Sequence, residues 1–228
     1  MQSTIAVGLA SSLGGAEKLL DAVKAGKASA RLLQERPVEI RLEQAKVPDL
    51  KERVAKLTEG LPPASQRMQE LMKTRHEGFV KAPTKDAVAG AKIFEKNCAI
   101  CHQLGGKGAK IGPQLDGIGI RGLDRLLEDI LDPNRNVDQA FRLTRLNLKN
   151  GQVLPGLLLR EEGDVYVLAD SQGKEVRVEK SKVEERVTVQ LSPMPDNFVD
   201  QVSEGDFYNL LAFLLEQRAA KEEKPKER

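Results

Sequence analysis

Cys98, Cys101 and His102 stand together as Cys-Ala-Ile-Cys-His in a chain that holds two cysteines and two histidines in all. The spacing suits one chemistry above others. Two thiols about one helical turn apart add across the two vinyl groups of a porphyrin, and the imidazole that follows binds its iron. The expectation is one covalent haem c, with Cys98 and Cys101 as anchors and His102 as the proximal ligand. Two other chemistries use the same side chains. A redox dithiol sits after a strand and opens a helix, whereas here a helical pattern runs into the motif and stops. A structural zinc ion needs four ligands, and His76 with Cys98, Cys101 and His102 totals four.

A haem iron in an electron carrier is usually held on its far side by Met or His. Met194 lies in Leu191-Ser-Pro-Met-Pro195, where two prolines stiffen the backbone around one thioether. It is the expected distal ligand. Met68 and Met72, four apart on a helical pattern, read as core packing, and His76 is the alternative imidazole. A ligating histidine commonly donates its other ring N–H to a carbonyl. Pro113, in Gly112-Pro113-Gln-Leu115, has a carbonyl free to accept it. The run Gly105-Gly106-Lys107-Gly108 follows no strand and does not fit GxGxxG, so it is not read as a phosphate cradle.

The elements that must position these groups show in the hydrophobic periodicity. Residues 4–25 read as amphipathic helix split at Gly14-Gly15, residues 28–34 as a short helix stopped before Pro37, and residues 49–57 and 65–76 as two more. Ala87, Gly90, Ala91 and Phe94 recur at helical spacing and lead directly into Cys98. Leu123, Leu126, Leu127, Ile130 and Leu131 give a further helix ended by Pro133. From about residue 140 the period becomes that of strands. Segments 141–149 and 152–160 flank Asn150-Gly151, a strong hairpin signal. Segments 165–169, 175–179 and 187–189 complete a small curled sheet or barrel, of a size that serves as an insertion. Ser203 with Asp206 resembles a capping box before a last helix striped by Phe207, Leu210, Leu211 and Leu214. The Lys/Glu-rich tail after Ala220 reads as a solvated or frayed end.

Composition excludes several classes. At 228 residues, 40% hydrophobic and 31% charged, the chain is ordinary globular material. Its 36 Lys+Arg against 34 Asp+Glu leave a net charge of +2, which argues against a dedicated nucleic-acid binder. The longest apolar run, Leu210 to Leu215, is far short of the ~18 residues a bilayer span needs, so no transmembrane segment is expected. Residues 1–17 contain no Lys or Arg, so the basic region of a signal peptide is not evident in this chain.

Gly90-x-x-x-Phe94, Cys98-x-x-Cys101-His102, Gly112-Pro113-x-Leu115, Met194-Pro195 and Leu210-Leu-Ala-Phe213-Leu214 resemble class I cytochrome c in order. One departure is large: 92 residues separate His102 from Met194, more than a compact member uses. The arrangement is similar to the haem-binding CxxCH domain of planctomycete and verrucomicrobial type. There a helix, the motif, "GPxL", "LLExILDPN", a small β insertion, "SxMP" and a final helix follow one another. Leu126-Leu-Glu-Asp-Ile-Leu-Asp-Pro-Asn134 and Ser192-Pro-Met-Pro195 fit that order, and the likeness covers about residues 84–216.

The resemblance implies a mainly α cytochrome c fold with a β insertion at about 140–190, and an α+β chain overall. A helical region at 1–83, the tail of a helical repeat, would precede a cytochrome domain at 84–228. In that fold Gly90 and Phe94 pack against the last helix. It further implies an extracytoplasmic, periplasmic carrier of single electrons and not an enzyme, serving a redox partner such as a dehydrogenase. The haem-binding set is then Cys98, Cys101, His102, Gly112, Pro113, Leu115 and Met194, with His102 and Met194 on iron. Two alternatives stay open: a haem sensor with an open sixth site, and a zinc-stapled interaction module.

Overall fold

The computed structural model describes residues 2–218, and the Lys/Glu tail lies outside them. The chain divides into two compact units, Met1–Leu71 and Met72–Arg228.

The first unit is helical. α1 (Gln2–Leu9) and α2 (Leu13–Lys24) are followed by a 3₁₀ turn at Ala30–Gln34, then α3 (Arg36–Gln44) and α4 (Leu50–Leu57). Ala16, Leu19, Leu20 and Val23 bury one stripe of α2, the spacing of an amphipathic helix. They pack with Ala6, Ala10, Leu32, Leu33, Val38 and Leu42 in one aliphatic core. Two sequence expectations change here. The first break falls at residues 10–12 and not at Gly14-Gly15, because Ser12 caps α2 by accepting the Gly15 N–H. Pro37 does not merely stop a helix. It sits in the first turn of α3, where its missing N–H has no partner to lose.

α5 (Ala64–Lys81) carries the chain from the first unit into the second. It extends past His76, and none of its residues is fully buried. Met68 and Met72 are accordingly half-buried rather than core residues.

The second unit contains α6 (Ala87–Asn97), α7 (Gly122–Leu131) and α8 (Glu204–Glu216), with a sheet between α7 and α8 in sequence. Asp86 caps α6 through the Val88 and Ala89 N–H groups, and Ser203 caps α8 through the Asp206 N–H. α6 and α8 meet closely: a Cβ on Gly90 would overlap the Asn209 carbonyl, and the Phe94 and Phe213 rings lie 5.7 Å apart. The far end of α5 joins this unit through Arg75 to Glu204 and through Phe79, edge-on to Tyr208 at 6.0 Å.

The sheet is antiparallel: β1 (Leu143–Leu148), β2 (Val153–Glu162), β3 (Val165–Ala169), β4 (Glu175–Glu179) and β5 (Val183–Thr188). Its order is β4-β3-β2-β1-β5. β4 and β5 are its two edges, so it is an open sheet rather than a barrel. One face buries Leu146, Leu148, Leu168 and Val178. Both edges are rich in Glu and Arg, which discourages pairing with another chain. The chain is α+β.

Two sets of hydrogen bonds close the sheet's entrance and exit on each other. The Leu143 N–H donates to Leu191 O at 2.8 Å, and the Val189 N–H donates to Leu143 O at 2.9 Å. Just outside, buried Asn134 accepts the Ser192 N–H on Oδ1 at 2.8 Å. The excursion of the sheet therefore begins and ends at nearly the same place.

Candidate cofactor site

The motif forms the end of α6. The Cys98 N–H still donates to Phe94 O, and the Cys101 and His102 N–H groups both donate to Cys98 O. One tight turn thus brings both thiols and the imidazole to the same helix end. The loop that follows folds back over this turn. Ala109 N–H donates to Ala99 O, and the Ile111 and Gly112 N–H groups donate to Cys101 O. Gly105, Gly106 and Gly108 all adopt positive φ, the conformation that lets the loop reverse at little steric cost. The Gly105 N–H is held by Asp116 Oδ1 at 2.8 Å. These glycines and Asp116 help hold the site. Sequence reasoning set the glycines aside because it tested them only as a phosphate cradle.

His102 is fixed from two sides. Its Nδ1 lies 2.8 Å from Pro113 O, and a carbonyl can only accept, so Nδ1 carries the hydrogen. Nε2 is then the ring nitrogen with a lone pair for a metal. Gly112 lies flat against the ring: a Cβ there would stand 2.8 Å from His102 Cε1. Burial lowers the His102 pKa, and the Pro113 bond offsets part of that effect. The net direction is downward, toward the neutral imidazole that ligates. Leu115 ties the return of the loop, donating its N–H to Gln103 O at 2.9 Å.

Cys98 and Cys101 are free, half-buried thiols. Burial pushes Cys98 up to about 12. Burial, and secondarily the charge of Asp170, raises Cys101. A thioredoxin-like dithiol requires a depressed thiol pKa, so this pair is set up against that chemistry. The zinc reading also loses its ligands. Among the described residues no three His, Cys, Asp or Glu side chains gather as a metal cluster, and His76 turns Nε2 toward Asp124 Oδ1 at 3.4 Å. Two adjacent thiols, a neutral imidazole of fixed tautomer and a glycine surface beside the ring form a donor set that fits haem c.

Met194 sits on the other side of the sheet's excursion. Its loop is held by the bond from Ser192 N–H to Asn134, and the Met194 N–H donates to Ser192 Oγ at 3.1 Å. The thioether is half-buried. A fifty-residue insertion therefore leaves the loop tied to the end of α7.

The sheet also reaches the motif, a contact that the sequence did not announce. Gly173, in the turn between β3 and β4, lies against Ile100: a Cβ there would stand 2.7 Å from Ile100 O and 3.4 Å from Ile111 Cδ1.

Residues 87–162 match the cytochrome c family model. The chain is 51% identical over 41 residues to a cytochrome c of Guizotia abyssinica, covering 18% of this chain and 37% of that protein. It is 49% identical over 41 residues to a cytochrome c of Cannabis sativa, with the same coverage. The chain thus spans little more than a third of the length of the curated relatives it matches. The helix and the attachment motif both lie within the matched residues, and this segment is similar to class I cytochrome c, a family that implies covalently bound haem c with iron.

Proposed function

We propose that this chain is an electron carrier and not an enzyme. Cys98 and Cys101 anchor the haem, His102 is the proximal ligand, Met194 is the distal ligand, and Gly112, Pro113 and Leu115 shape the pocket. The observation that carries this reading is the 2.8 Å approach of His102 Nδ1 to Pro113 O at the end of α6. It presents one imidazole nitrogen to a metal beside two thiols, and nothing else in the site uses it.

Haem iron, when bound, takes up or releases a single electron by alternating between its ferrous and ferric states. The chain's part is to hold it still. Cys98 and Cys101 would hold the ring at two points, each thiol adding its S and H across one vinyl group with no atom lost. Pro113 and Gly112 lock the orientation of His102. Asn134 holds the Met194 loop in place through Ser192, and the Met194 thioether would serve as the second protein ligand to the iron. Such ligation raises the potential and denies the iron a small-molecule substrate. The fold is then a cytochrome c core at 84–228 with the sheet inserted, preceded by a helical region at 1–83. The compartment is extracytoplasmic, and no described helix is long and apolar enough to cross a membrane. The redox partner is a dehydrogenase, in the same assembly or on another chain.

Visible spectra of the oxidised and reduced protein, made in a host with haem-attachment machinery, test this. A c-type reduced spectrum is expected, with the weak charge-transfer band of Met on ferric iron. Met194→Ala should abolish that band and let the ferrous protein bind carbon monoxide. If the variant leaves both unchanged, Met194 is not the ligand. A colourless protein would defeat the haem reading itself.

A further inference from the structure

The arginines of the sheet strands differ in one respect. Arg160, Arg177 and Arg186 are in ion pairs with Glu162, Glu175 and Glu161. Arg145 on β1 has none among the described residues, and its Nε is buried without a hydrogen-bond partner. Arg75 holds the other such nitrogen, but its Nη1 is taken by Glu204. A buried guanidinium nitrogen left unpaired is destabilising, so the position calls for an acceptor that the described residues do not supply.

The placement of Arg145 says which acceptor. Side chains alternate along a strand, so Arg145 shares a face with Leu143. Leu143 pairs with Leu157, which pairs with Ala169. This row forms the end of the sheet nearest the site. At its β3 side the turn carrying Asp170 and Gly173 touches Ile100, inside the attachment motif. At its β1 side Leu143 is bonded to Leu191 and Val189, just before the Met194 loop. Leu157, Ala169, Val189 and Leu191 are buried, while farther along the same face Val153 and Pro155 are exposed. Arg145 therefore stands where an apolar wall meets solvent. It is also two strands from the turn that touches the attachment motif, roughly 10 Å at normal strand spacing, about the width of a porphyrin. A haem anchored by its vinyl edge carries its two carboxylates on the opposite edge.

We propose that Arg145 binds a haem propionate, so that the inserted sheet supplies part of the cofactor site and is not merely an appendage. This rests on the haem reading above. Charge-assisted pairing of a guanidinium with a carboxylate is among the stronger hydrogen bonds, and the retained positive charge favours reduced iron. The test uses the haem-loaded full chain. A wild-type protein without a c-type spectrum would defeat the haem reading before any variant is made. Given that spectrum, Arg145→Gln should keep it, lower the midpoint potential, and shift the propionate bending band in the resonance Raman spectrum. Arg145→Lys should recover part of the potential. If Arg145→Gln does not fold with haem, the band shift in Arg145→Lys decides. An unchanged potential and unchanged propionate band, with or without a lower melting temperature, would overturn the assignment.

Discussion

The two units solve the problem of stability by different means. The first, residues 1–71, buries an uninterrupted set of aliphatic side chains. Leu19, Leu20, Leu33, Leu42 and Val38 are all at most 2% exposed. The second buries a set of its own, Leu126, Leu127, Leu131, Leu210, Leu211 and Phe207 among them, and adds close backbone approaches around the site. Gly90 admits Asn209, Gly112 admits the His102 ring and Gly173 admits Ile100, while the thiols and the imidazole remain half-buried. A unit that keeps surfaces flat with glycine is shaped to receive something.

That contrast can be broken by mutation. The largest effect is expected from Leu33→Ala, which should cost the first unit about 2–5 kcal/mol. Chemical denaturation should show the loss, while the haem spectrum and potential of the folded protein stay as they were. A spectral change would mean that the units are not independent. Gly90→Ala should cost the second unit about 1–3 kcal/mol through overpacking against Asn209, with poorer haem incorporation. Asn134→Ala comes next. It leaves the Ser192 N–H without its acceptor, at about 1–3 kcal/mol. It should also weaken the charge-transfer band of ferric iron before it unfolds anything, and a band of full strength would show that the loop is held by other means.

The smallest effect concerns pH. Arg53 engages both carboxylate oxygens of Glu17, at 2.9 and 2.6 Å, and this hydrogen bonding holds Glu17 below its ordinary value of 4.5. A carboxyl with a lowered folded pKa contributes stability above its unfolded value and loses it as pH falls through the folded one. The first unit should therefore soften slightly below about pH 4.5, and Glu17→Gln should flatten that dependence. The pair is exposed, so the change is small. Melting curves across pH 3–6 on both proteins would read it.

What the sequence disclosed and what it hid divide along sequence distance. The hairpin at Asn150-Gly151 is legible because two residues dictate the turn, and β1 and β2 form around it. The acceptor beside His102 is legible because proline offers a carbonyl and no N–H, only eleven residues away. α3 is hidden because proline ends helices and also begins them, and the choice depends on Val38 and Leu42 finding the core. The bond between Asn134 and Ser192 spans 58 residues, and no local pattern marks it. The contact of Gly173 with Ile100 is hidden for the same reason, since a glycine chosen for close approach looks like one chosen for a turn.

The closed entrance of the sheet has one more consequence. Because Leu143, Val189 and Leu191 bond at the neck and Asn134 grips Ser192 just below it, the two ends of the strand block are fixed together, while the turn at Gly173 rests on Ile100. The strand ends away from Leu143, Leu157 and Ala169 can lengthen or shorten while the two ends of the block stay where they are. Closing such a neck depends only weakly on the length of what lies beyond it. Insertions are therefore expected to be tolerated at the far end of the sheet, away from both the neck and the Gly173 turn.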